Sequence, residues 1–234
     1  MTDTIYYAIG DIHGEADKLA VLHGRIARRH ALDFPGRKYV LVHLGDYIDR
    51  GPDSYEVVEM LIGIENAGQQ QVINLKGNHE QRMFAYYKNN DSKSYHAWME
   101  YGGRQTLESY RRAGFDEPPV RHLDWMGSLK SFHWDKAAKL IFVHAGIDPI
   151  NFPNDGEDRH LWTRASSFFD TKCWDNPALS GVTLVHGHTI TVSGKPDIDG
   201  DYRRINIDTG ACFGGDLTAV ILVDGQTPEF LSVS

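Results

Sequence analysis

Short apolar runs alternate with helix-spaced segments along the first third of the chain. IYYAIG (residues 5–10) reads as a buried strand, and residues 15–30 then place Leu19, Leu22 and Ile26 at helical spacing. YVLVHL (39–44) reads as the next strand. SYEVVEMLIGIENAG (54–68) reads as a helix with a serine start and a glycine stop. QVINL (71–75) is a third strand, and GNHE (77–80) opens a further helix. Three strand–helix units in succession predict a layered α/β domain.

The pattern then changes. Residues 94–112 are aromatic and charged and are expected to be helical, whereas residues 113–135, with Pro118 and Pro119, are expected to form an irregular insert. Strand character returns at KLIFVHAG (139–146) and VTLVHGH (182–188), followed by the closely spaced RINIDTG (204–210), LTAVILVDG (217–225) and EFLSVS (229–234). A β-rich second half after an α/β first half predicts a central β-sandwich flanked by helices, not a simple parallel sheet. No Pro/Ser/Gly-rich stretch and no run of one charge divides the chain, so residues 1–234 read as a single domain.

Composition narrows the function classes. A formal net charge of −8 argues against broad binding to nucleic acid or to an anionic membrane, although a local metal or arginine cluster can still reverse the sign inside a cleft. No basic segment followed by an apolar one opens the chain, and no apolar run approaches membrane-spanning length. The two cysteines, Cys173 and Cys212, form neither a CxxC pair nor a disulfide framework, so a reducing cytoplasm is the expected compartment. Nothing in the composition demands more than a monomer.

The candidate chemistry lies where strands end. Five apolar runs each pass into a glycine-bearing polar cluster: GDIHG (10–14), GDYIDRG (45–51), GNHE (77–80), HAG (144–146) and HGHT (186–189). Ligands in open α/β sheets bind beyond the carboxyl ends of strands. The side chains offered there are Asp11, His13, Asp46, Asn78, His144 and His188. Two carboxylates, an amide and three imidazoles form an N/O set without thiolate, which suits manganese, iron or zinc in a non-structural site. Six ligands exceed the needs of one tetrahedral ion, so a carboxylate such as Asp46 is placed to bridge two.

These motifs, in this order, resemble the phosphoprotein-phosphatase branch of the calcineurin-like metallophosphoesterases over about residues 8–215, with details most similar to bacterial and bacteriophage serine/threonine phosphatases. NIDTGACFGGDLTAV (206–220) is similar to their closing segment, and GGRQTLESY (102–110) to their middle helix. The resemblance implies two divalent ions, with manganese expected and iron or zinc also fitting. Asp11, His13 and Asp46 would hold the first; Asp46, Asn78, His144 and His188 the second. Arg50 and Arg164 would grip phosphate oxygens, His79 would be the general acid, and Asp49 would orient it. Isoleucine at 190, where many phosphodiesterases of the superfamily carry the second histidine of GHxH, favours the phosphatase branch.

The implied reaction is direct attack on phosphorus by a hydroxide bridging the two ions, with no covalent phosphoenzyme. The expected substrate is a phosphoserine or phosphothreonine protein, or a small phosphoester, and a symmetrical dinucleoside tetraphosphate hydrolase is the alternative. Residues 92–135 and 151–176 are where substrate choice is expected to reside. Plainer readings stand beside these. Asp49 and Arg50 would make an ordinary surface ion pair if isolated. His186 fits either support of a ligand or a structural role, His43 and His160 read as structural or surface residues, and Cys212 as a small residue near the site. Tyr86, Tyr87, Tyr95, Trp98 and Tyr101 read as helix packing more readily than as a base-stacking platform.

Overall fold

The computed structural model describes residues 4–199 and 202–234. Two five-stranded mixed sheets face each other. The first contains β1 (Ile5–Ile9), β2 (Tyr39–His43), β3 (Gln71–Asn74), β9 (Leu217–Leu222) and β10 (Glu229–Val233), in the order β10-β9-β1-β2-β3. The second contains β4 (Phe132–Asp135), β5 (Leu140–Val143), β6 (Thr183–His186), β7 (Asp197–Ile198) and β8 (Arg204–Asn206), in the order β4-β5-β6-β8-β7. β1, β2 and β3 are parallel, as are β5, β6 and β8; β4, β7, β9 and β10 are antiparallel to their neighbours.

Parallel strands require crossover connections, and in the first sheet these are helices α1 (Ala16–Asp33) and α2 (Ser54–Ala67). They cover the outer face of the first sheet, where Leu19, Leu22 and Ile26 of α1 and Val57, Val58 and Leu61 of α2 join Ile5, Tyr7 and Ile9. The inner face carries the alternate residues of the same strand. Tyr6 and Ala8 pack with Val40, Val42, Val220 and Leu222, and against Phe142, Val185 and Ile205 of the second sheet. Burial on both faces explains why β1 reads as a continuous apolar run rather than an alternating one. A third layer of Phe152, Phe168, Trp174 and Leu179 closes the far side of the second sheet on Ile141, Val143 and Leu184. The architecture is the expected helix-flanked β-sandwich, with its carboxyl strand ends gathered on one edge.

Two local expectations change. Residues 94–112 form two helices, α4 (Ser92–Met99) and α5 (Gly103–Arg112), separated at Gly102, whose φ is +103°. Residues 113–135 are not irregular throughout. Pro119 precedes α6 (Val120–Ser128), and β4 follows. The proline pair marks the start of that helix, because a proline lacks only an N–H that the first turn does not use. Helix α3 (Asn78–Asn89) begins at GNHE as expected. No helix among the described residues is long and apolar enough to cross a membrane.

Candidate metal centre

The turns leaving β1, β2, β3, β5 and β6 carry their polar residues into one buried cluster. Five of these residues hold left-handed backbone: His13 (φ +46°), Asp46 (+53°), Asp49 (+71°), Arg50 (+70°) and His188 (+65°). Such conformations cost free energy in non-glycine residues and persist where the surroundings over-determine them, typically at functional sites. The adjoining glycines leave room for the carboxylates. A Cβ on Gly77 would collide with Asp46, and one on Gly187 with Asp11.

Asp46 stands at the centre. Its Oδ2 lies 3.5 Å from His13 Nε2, 3.3 Å from His144 Nε2 and 3.8 Å from His79 Nε2. Two groups of potential ligand atoms result, His13–Asp46–His79 and Asp46–His144–His188, with Asp46 common to both. Asn78 Oδ1 lies 2.9 Å from both His144 Nε2 and His188 Nδ1. Asp11 accepts the His188 backbone N–H at 3.1–3.2 Å. The six expected ligands are therefore brought together, and His79 stands beside them.

The electrostatics call for cationic charge. Burial and the nearby Asp208 carboxyl hold the Asp11 carboxyl well above the usual range. Asp208 is itself buried and pushed up to about 6, chiefly by burial. Burial also opposes charge on Asp46 and His144. Their attraction outweighs it, so Asp46 falls well below the carboxylate range and His144 rises to about 9. Burial together with the neighbouring histidine keeps His13 (about 3, beside His79) and His188 (about 2, beside His144) neutral, the form in which imidazole binds metal. His13 Nδ1 donates to Ile48 O at 2.8 Å and His144 Nδ1 to Leu44 O at 3.1 Å, leaving each Nε2 aimed inward. Three buried carboxyl groups beside His13 and His188, both held neutral, fit divalent cations.

The remaining predicted residues surround this cluster. His79 Nδ1 meets Asp49 Oδ2 at 2.7 Å, while His79 Nε2 is buried with no hydrogen-bond partner among the described residues. Arg50 Nη1 lies 2.7 Å from His13 Nε2. Arg164 is exposed at the mouth, with Nε 3.3 Å from His188 Nε2. His186 turns away from the cluster towards Arg204 and packs on Phe168, which makes it structural. His43 sits between His23 and Asn74, and His160 between Ser131 and Asp155.

Four supporting residues escaped the sequence reading. Trp98 Nε1 and Thr106 Oγ1 donate to Asp49 Oδ1 at 2.9 and 2.6 Å, so α4 and α5 hold the carboxylate that holds His79. Glu80 accepts from the backbone N–H of Asp46, Tyr47 and Gly77 at 2.8–2.9 Å, tying the β2 turn to the start of α3. Its burial and the Asp46 charge push it up to about 7. Asp208 is the fourth. Glu80, Thr106 and Asp208 lie inside quoted segments and were open to recognition there, whereas Trp98 read only as helix packing.

A two-sheet sandwich with a histidine- and carboxylate-lined centre at its strand ends defines a metallophosphoesterase. The sequence matches the calcineurin-like phosphoesterase family over residues 6–214, and the chain belongs to that family. It is 24% identical to the asymmetrical bis(5'-nucleosyl)-tetraphosphatase PrpE of Bacillus subtilis (strain 168), covering 98% of this chain and 93% of that protein. It is 29% identical to the symmetrical bis(5'-nucleosyl)-tetraphosphatase of Pseudomonas putida (strain GB-1) over 61% of this chain and 42% of that protein. The cold-active protein-tyrosine phosphatase of a Shewanella species superposes with a TM-score of 0.64 over 99% of this chain and 82% of that one, at 18% identity, a likeness of fold.

Proposed function

We propose that this protein is a metal-dependent hydrolase of dinucleoside tetraphosphates. The observation that carries hydrolysis at phosphorus is the buried His79 Nε2, unpartnered among the described residues, 3.8 Å from Asp46 and fixed from behind by Asp49. The choice of a dinucleotide is supported by the near full-length likeness to a bis(5'-nucleosyl)-tetraphosphatase. It reverses the order of the two substrates expected from the motifs.

Asp11, His13 and Asp46 would hold one ion, and Asp46, Asn78, His144 and His188 a second. When bound, divalent ions supply Lewis-acid charge that activates water and neutralises phosphate oxygens. Arg50 and Arg164 stand at opposite edges of the cluster, beside His13 and His188, and their planar donor forks suit the equatorial phosphate oxygens. With Nδ1 held by Asp49, His79 Nε2 is placed to give a proton to the departing oxygen. Trp98 and Thr106 keep the Asp49 carboxylate from rotating away.

The second reading is a serine/threonine protein phosphatase, favoured by the segments 102–110 and 206–220, which supply Thr106 and Asp208 to the site. Product release from diadenosine tetraphosphate and from a phosphothreonine peptide, both with manganese and with metal-free protein as blank, separates the two. Dinucleotide turnover with little peptide cleavage is expected. The products, ATP with AMP or two ADP, report which bond breaks. Peptide turnover alone would overturn the proposal.

A further inference from the structure

An open groove of 490 Å³ lies against the metal centre, lined by Arg50, Glu100, Tyr101, Gln105, Cys212 and Phe213. Its volume falls within the range of small-molecule sites, about 300–1,000 Å³. Two of its walls also border the cluster. Arg50 reaches His13 at 2.7 Å with Nη1, while its Cζ lies 5.5 Å from the Phe213 ring centroid. The Tyr101 ring lies 6.0 Å from that of His79, the residue placed to give a leaving group its proton. A group departing beside His79 Nε2 therefore has this groove open to it.

Phe213 is the unusual wall. It is 64% exposed, at the tip of the short turn Ala211–Phe213. A single exposed phenylalanine is ordinary by itself. This one is held out by a built turn. Lys18 Nζ donates to Ala211 O at 3.0 Å and to Gly215 O at 2.8 Å, and Asp208 Oδ1 accepts the Gly210 N–H at 3.1 Å. The turn is thus anchored to the same Asp208 that borders the cluster. The groove adds Glu100 and Gln105, a carboxylate and an amide suited to the edge of a base, next to a cation and an exposed aromatic face.

We infer that this groove seats the nucleoside on the leaving side of the substrate, with Phe213 as the surface on which its base stacks. The inference rests on the dinucleotide reading for its occupant, and its test is independent of turnover. ADP and pyrophosphate differ only by the nucleoside, so their affinities for manganese-loaded protein, measured by calorimetry, isolate the groove. ADP is expected to bind about tenfold more tightly than pyrophosphate, the scale of one base–aromatic stack. Phe213→Ala should remove that preference and Phe213→Trp should retain it. Exposure of the side chain makes both variants compatible with folding. Equal wild-type affinities, or an unchanged preference in Phe213→Ala, would overturn the groove assignment even if diadenosine tetraphosphate is hydrolysed. A preference lost in Phe213→Ala, in a protein that fails to hydrolyse that dinucleotide, would uphold the groove and refute the proposed substrate.

Discussion

The Asp49 carboxylate and the His79 imidazole meet at 2.7 Å with both side chains fully removed from solvent. Asp49 is held by two further donors, Trp98 and Thr106, so the histidine has one orientation and presents one free nitrogen to the cluster. His79→Asn is expected to lower kcat by about 10²–10⁴ for substrates with poor leaving groups, and much less for aryl phosphates. Steady-state rates on phosphoserine and p-nitrophenyl phosphate compare the two cases. An equal loss on both would remove the acid role from His79.

Trp98→Phe and Thr106→Val each delete one donor to a buried carboxylate. Each should lower unfolding stability by about 1.5–3 kcal/mol, the worth of a hydrogen bond to a charged group. Urea denaturation measures it. The same variants should reduce kcat more than they raise KM, since they act on the orientation of His79 and not on the substrate.

Glu80→Ala strips the acceptor from four backbone N–H groups, those of Asp46, Tyr47, Ile48 and Gly77, that are buried where the β2 turn meets α3. The expected cost is about 3–5 kcal/mol. Glu80→Gln keeps an acceptor oxygen and should recover part of it. Thermal melting of both variants checks the order.

Metal content separates ligands from substrate-binding residues. Asp46 belongs to both ligand groups, so Asp46→Asn should lower bound manganese at both positions. Arg164 is exposed at the mouth, so Arg164→Ala should leave metal content intact and raise KM. Elemental analysis after dialysis, paired with kinetics, distinguishes them. Full metal retention in Asp46→Asn would contradict the shared-ligand arrangement.

Acid sensitivity is expected from a pair of histidines outside the site. His23 Nε2 and His43 Nε2 lie 2.9 Å apart, and His43 Nδ1 meets Asn74 Oδ1 at 2.7 Å. Burial holds His23 at about 4 and His43 well below its ordinary value, where the adjacent His23 adds to the effect. Both rings stay neutral in the fold at pH values where the unfolded chain, with histidine near 6.5, binds protons. Stability should therefore be full above about pH 6.5 and fall as pH drops towards about 4, by at most about 1.4 kcal/mol per pH unit for each ring. Denaturation curves for His23→Gln should show a shallower dependence over that window.

The first-half fold was legible because periodicity and chain ends agreed: apolar runs of strand length, helical spacing at Leu19, Leu22 and Ile26, and glycine stops. Helix α6 was not, since Pro118 and Pro119 signal a break equally well before a helix or within a loop. Asp46, Asp49 and Arg50 were legible because charge crowded directly after a buried strand demands a partner. The contacts of Trp98 and Thr106 were not, because their partner, Asp49, lies 49 and 57 residues away in sequence.

By itself the sequence determined the family, the layered α/β class and the candidate N/O donor set, because these depend on residue type, order and local spacing. Tertiary structure alone decided which atoms meet. It made Asp46 common to two ligand groups, turned His186 towards Arg204 and away from the cluster, and set Phe213 over a groove that begins at Arg50. The reason is physical. Distances between side chains on different strand ends are fixed by how the two sheets pack and how the left-handed turns aim their residues, and neither is encoded within any one motif.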